Sequence, residues 1–169
     1  MGARLYICPM FKRGCGIFWI VLWLTGCYTF TGSTLPGHLK TIRVFPVEDK
    51  TLNPELAEQL TQALIDGFQG KSSLRIVADA GHSELMVKLK SYSHTAYNTS
   101  GASVLDYQIN LGVEVQFYDK VKGKVLYQEQ NLPGFATYSI QNGETETQGQ
   151  RKAVEAVVNL ILDNTVSGW

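Results

Sequence analysis

Residues 105–117 read Leu-Asp-Tyr-Gln-Ile-Asn-Leu-Gly-Val-Glu-Val-Gln-Phe. Leu105, Tyr107, Ile109, Leu111, Val113, Val115 and Phe117 fall on one side of a period of two, with Asp106, Gln108, Asn110, Glu114 and Gln116 on the other. Successive strand side chains point to opposite faces, so the stretch predicts one long β-strand, half against a core and half in water. Strands of purely parallel sheets are apolar on both faces, so this one calls for antiparallel neighbours.

Both neighbours can be read on either side of it. From Glu84 to Tyr92, Leu85, Val87 and Leu89 alternate with Met86, Lys88 and Lys90. Asp119 to Gly123 reads as a turn and Lys124 to Gln130 as a returning strand, so residues 84–130 predict an antiparallel meander with one wet face. Pro133-Gly134 limits its regular part, with Phe135 to Ile140 extending it past a bulge. The small polar segment Ser93 to Ser103, with Tyr97 inside it, reads as a surface loop suited to entering a partner's lumen, or equally as an ordinary mobile loop.

Upstream, Leu39 to Val47 reads as a first strand, with Glu48 and Asp49 at a turn. Asn53-Pro54-Glu55 then starts a helix, because Asn can accept from free amides, Pro has no amide to lose at the first position, and Glu suits the positive helix end. Leu56, Leu60, Leu64 and Phe68 share one face of that helix, which runs to about Gln69 with Gly70 as its terminator. Leu74 to Val77 is a further short strand, and strand, helix, strand in that order suggests a parallel crossover. A second helix begins near Thr145 or Gln148 and runs to about Asn164, with Ala153, Val154, Val157, Val158, Ile161 and Leu162 at helical spacing. The expected fold is α+β, with two helices packed on one face of a mixed, about four-stranded sheet.

The 169 residues suit one modest domain behind a processed leader. Lys12 and Arg13 precede the apolar run Ile17 to Leu24, closed by Thr25 and Gly26, as in a secretory signal. About ten apolar residues fall short of the roughly 20 that a membrane-spanning helix needs. Leu24-Thr25-Gly26-Cys27 resembles the lipobox of bacterial lipoproteins, which implies cleavage before Cys27 and diacylglycerol and an N-acyl chain on that cysteine. Residues 1–26 are then the signal peptide, residues 27–38 a lipidated tether, and residues 39–169 the domain. Met10 offers an alternative start that puts the basic pair near the front. Tyr28, in place of an aspartate, favours the outer membrane under the proteobacterial sorting pattern.

Formal net charge is zero, with 15 bases and 15 acids. Three of those bases and none of the acids lie in the leader, so the mature chain is slightly acidic and has no global attraction to nucleic acid. Cys8 and Cys15 also fall in the leader, which removes disulfide and cysteine-zinc scaffolds from the domain.

Gly32, Leu35-Pro36, Lys40-Thr41-Ile42, Phe45-Pro46-Val47-Glu48-Asp49, Thr51, Pro54 and Leu60-Thr61-Gln62-Ala63-Leu64 resemble the lipopolysaccharide-assembly lipoprotein family LptE. The resemblance is densest from Cys27 to about Ala80. It implies a two-helix, four-stranded domain that sits in the lumen of the outer-membrane barrel LptD, supports its assembly and passes lipopolysaccharide to the cell surface. A strand, helix, strand opening also resembles curli-secretion and TolB-type domains, which leaves a periplasmic secretion-accessory or structural lipoprotein as the alternative.

Lys88 and Lys90 project from the wet strand face, and Lys120, Lys122 and Lys124 cluster at a hairpin turn, so these five are the candidates for contact with lipid A phosphates. Lysines on exposed strands also serve simply to solubilise the sheet. His38, His82 and His94 have no metal-ligand spacing. No nucleophile elbow or phosphate loop is present, and no catalytic residue, metal or cofactor is expected beyond the lipid on Cys27.

Overall fold

The computed structural model describes residues 35–101 and 103–167. The leader, Cys27 and the tether up to Thr34 lie outside the described residues. In chain order the elements are β1 (Thr41–Val44), β2 (Glu48–Asp49), α1 (Pro54–Lys71), β3 (Arg75–Ile76), β4 (Ser83–Ser100), β5 (Ser103–Asp119), β6 (Lys124–Ser139) and α2 (Glu146–Leu162), then a π-helical turn at Asp163–Ser167.

The alternating stretch is β5, the centre of an antiparallel meander between β4 and β6. Its apolar row Ile109, Leu111, Val113, Val115 and Phe117 is buried to within 2 % of full exclusion. β1 pairs in parallel with both β3 and β4, so the β1, α1, β3 crossover forms as expected. The sheet runs β3-β1-β4-β5-β6, with β2 also joined to β4. It has six strands rather than about four. The difference comes from short pieces: Leu39 to Val47 is not one strand but β1, and Glu48–Asp49 is a separate strand on β4 rather than a turn. Pro46 lies at the break, where a proline has no N–H to add to a ladder.

Both helices form for the reasons their sequences give. Asn53 accepts from the Leu56 amide at 3.2 Å, and Leu56, Ala57, Leu60, Leu64 and Phe68 are buried. The helix does not stop at Gly70. It runs on to Lys71, which reaches Asn159 on α2 at 2.6 Å, and ends where the Ser72 amide and hydroxyl both bond the Phe68 carbonyl. α2 starts with a reciprocal cap between Thr145 and Gln148. Two glycines let it lie close to the sheet: a Cβ at Gly134 would come within 2.0 Å of Val157 Cγ2, and one at Gly149 within 2.5 Å of Tyr138. The two helices and one sheet face enclose a single core that includes Ile42, Leu60, Leu85, Val113 and Ile161. Among the described residues no helix is long and apolar enough to cross a membrane.

The segment read as a loop, Ser93 to Ser103, is instead the far end of a hairpin. β4 continues to Ser100 and β5 begins at Ser103, joined through Gly101, whose φ of +62° suits a residue without a side chain. A bulge between Leu89 and Ser91 shifts the alternation by one residue, which hides the strand from a period-two reading. β6 likewise runs through Pro133-Gly134, with its irregularity where Leu132 and Glu129 pair with Val113 and Val115.

Candidate functional site

The five candidate lysines are not brought together. Lys88 and Lys90 stand on the wet face of β4, while Lys120, Lys122 and Lys124 occupy the β5–β6 turn at the end where Ser83 pairs with Asp119. Lys88 lies five positions along β4 from Ser83, roughly 17 Å of rise. Lys88 and Lys90 share one carboxylate, Glu114, at 3.0 and 3.8 Å. The Glu114 bond raises the Lys88 pKa, and the same contact lowers that of Glu114, so both stay charged near neutrality. Lys90 also donates to the Gln130 carbonyl at 3.3 Å, and Lys120 pairs with Glu84 at 2.8 Å. Lys122 and Lys124 are exposed and form no ion pair among the described residues. The turn therefore offers two exposed ammonium groups with no acidic partner of their own, whereas the strand pair is half neutralised by Glu114.

That turn is held from inside by a group sequence reasoning missed. Asp119 has no exposed surface, yet its carboxylate accepts from the Val121 and Lys122 amides, both at 2.9 Å, and lies 2.7 Å from His38 Nε2. Burial works against its charge, but the Lys122 amide, the His38 ring and the Val121 amide outweigh it, and the pKa is lowered. His38 and the neighbouring Leu35, read as the end of a tether, are thus docked on the domain.

A second cluster lies where the hairpin leaves the core. His94 Nε2 is 2.9 Å from the Tyr138 hydroxyl, and the rings of His94, Tyr107 and Tyr138 lie within 4.7 to 5.7 Å of one another. Tyr92 donates to Glu146 at 2.8 Å and accepts from Gln150 at 3.1 Å. Burial raises the hydroxyl pKa values of Tyr92 and Tyr138, keeping both hydroxyls neutral. These groups satisfy one another and tie the base of the hairpin to the start of α2, an arrangement suited to rigidity rather than to proton transfer. His82 sits apart from them, its ring accepting from the Lys40 amide at 3.3 Å. A cleft of about 500 Å³ runs along α1 and α2, lined in part by Gln59, Asp66, Arg151 and Glu155, with its charged side chains at exposed helix positions.

Compared with known protein families, residues 39–165 match LptE, described as lipopolysaccharide-assembly. The chain belongs to the LptE family. No curated protein matches it in sequence. Among solved structures, lipoprotein B of Nitrosomonas europaea superposes with a TM-score of 0.55 at 11% identity, covering 81% of this chain and 92% of that one. A PelC dodecamer subunit from Paraburkholderia phytofirmans gives 0.53 at 13% identity, covering 82% and 94%. At such low identity these likenesses concern the fold alone. The LptE match spans β1 to the π-helical turn, so it takes in the whole sheet and both helices.

Proposed function

We propose that this LptE-family chain is anchored at the periplasmic face of the outer membrane through acyl chains on Cys27, fits into and supports assembly of the barrel LptD, and helps deliver lipopolysaccharide to the surface. The family match over residues 39–165 carries this reading. The lipobox-like run Leu24 to Cys27 supports the anchor, since two or three acyl chains suffice for stable membrane attachment where one does not. The same family match supports a role in assembly rather than catalysis. For contact with lipid A phosphates, Lys122 and Lys124 are the stronger candidates, because Lys88, Lys90 and Lys120 already face acids of this chain.

The test is purification of the tagged, full-length protein from detergent-solubilised outer membranes of its native host. An outer-membrane barrel identified as LptD in near-equal amount is the expected result. A homo-oligomeric ring without a barrel would instead favour the secretion-accessory alternative.

A further inference from the structure

One side of the sheet ends in β6, and the other is a stepped edge formed in turn by β3, β2 and the far part of β4, and the two sides are treated differently. β6 is defended: it carries Pro133, a bulge beside it, and Lys124 and Glu129. These are the devices that keep an edge from pairing with foreign strands. On the stepped side the longest uncovered stretch is β4 beyond its partners. β1 covers residues 83–85, β2 covers residues 88–89, and the last rung is the Lys50 amide bonded to the Leu89 carbonyl at 2.9 Å. From Ser91 to Ser100, only β5 pairs with β4 among the described residues. This stretch contains no proline, lysine or acid.

The direction of its backbone groups follows from the ladder. Leu85 and Leu89, which face the core, turn their carbonyls to the amides of Phe45 and Lys50, the residues that follow β1 and β2. After the bulge, Tyr92, His94 and Ala96 pair with Leu111, Ile109 and Tyr107 and take over the core-facing row. Residues on one row of a strand direct their amides and carbonyls to the same neighbour. Three N–H and three C=O groups therefore point outward in extended geometry, a pattern that only another extended polypeptide matches.

We infer that the Ser91–Ser100 edge of β4 takes up a strand from another protein, with a basic side chain placed beside Glu146. Glu146, the first residue of α2, meets the side chains that this edge sends inward, 2.8 Å from the Tyr92 hydroxyl and 3.7 Å from His94, and is half exposed. A second copy of the chain, paired antiparallel, would set its own Glu146 on the same face, whereas a Lys or Arg of a different strand complements that charge. The identity of the donor as a segment of LptD rests on the function proposed above. Leu52, 96 % exposed at the end of the β2 turn with φ of +62°, follows Lys50 at the last occupied rung and gives an added strand an apolar contact at its end.

The test compares full-length wild type with Ala96→Pro, which deletes one outward amide without touching the β4–β5 rungs, and with Ala96→Val, which keeps it. LptD recovery should fall at least tenfold for Ala96→Pro and stay unchanged for Ala96→Val, with far-ultraviolet circular dichroism preserved in both. In parallel, hydrogen exchange at Tyr92, His94 and Ala96 of the wild type should slow at least tenfold in the barrel complex relative to the free protein. This second readout decides the matter if Ala96→Pro fails to fold. A complex with LptD in which these three amides exchange as fast as in free protein overturns the edge inference and leaves the proposed function standing. Absence of LptD from wild-type preparations overturns both, and protection arising from self-association of the free protein overturns the assignment to a different chain.

Discussion

Removing the Asp119 carboxylate should loosen the β5–β6 turn and the chain entry together. Asp119→Ala deletes the acceptor for two amides and the partner of His38. Hydrogen bonds to a charged group contribute about 1.5–3 kcal/mol each when desolvated, but Val121 and Lys122 are exposed, so water can replace the carboxylate at both amides. The low end applies, giving a loss of roughly 2–4 kcal/mol. At about 3–5 °C per kcal/mol for a domain of this size, the melting temperature should drop by about 10 °C. Asp119→Asn keeps an acceptor oxygen and loses only the charge, so its loss should be about half as large. The pH dependence has a definite sign. The folded pKa lies below the ordinary aspartate value, so the carboxylate's stabilisation is fully present above the unfolded pKa of about 3.9 and disappears as pH falls through the folded value. Calorimetry at pH 7 and pH 3 should therefore show the gap between wild type and Asp119→Asn closing in acid. A gap that widens in acid, or an Asp119→Ala protein as stable as wild type, would mean that the carboxylate does not hold the turn.

Gly134→Ala should destabilise by about 1–3 kcal/mol through overpacking, because its Cβ would fall 2.0 Å from Val157 Cγ2, and Val157→Ala in the same chain should recover part of the loss in denaturant melts. Cys27→Ala should leave a full-length precursor that incorporates no labelled palmitate. Lys122→Glu with Lys124→Glu should weaken binding to lipid A vesicles more than Lys88→Glu, with a steeper dependence on salt in the wild type than in the double variant. Equal effects of the two sets in a sedimentation assay would remove the turn from consideration.

The meander and both helices were legible because their burial is one-sided: the rows Leu105 to Phe117 and Leu56 to Phe68 each face one core, and a single period describes each. The outer hairpin was not, for a physical reason. The bulge after Leu89 swaps which residues face inward, and beyond it the core thins to rings such as Tyr92 and His94 set among hydroxyls, so the apolar period fades while the backbone stays extended. Its Thr and Tyr content, with no glycine before Gly101, was the available signal. Gly70 misled because helix ends are decided by what satisfies the last carbonyls, and here Ser72 does so twice on Phe68. The lysines were legible as exposed, but their pairing with Glu84 and Glu114 depends on strand register, and Asp119 became visible as a buried acceptor only once the turn had closed around it.

A role for this chain in lipopolysaccharide assembly at the outer membrane is decided by depleting the protein in its native host and quantifying lipopolysaccharide exposed on intact cells. Surface lipopolysaccharide should fall as the protein is lost, with LptD accumulation falling alongside it. Full surface lipopolysaccharide in cells that lack the protein would contradict it.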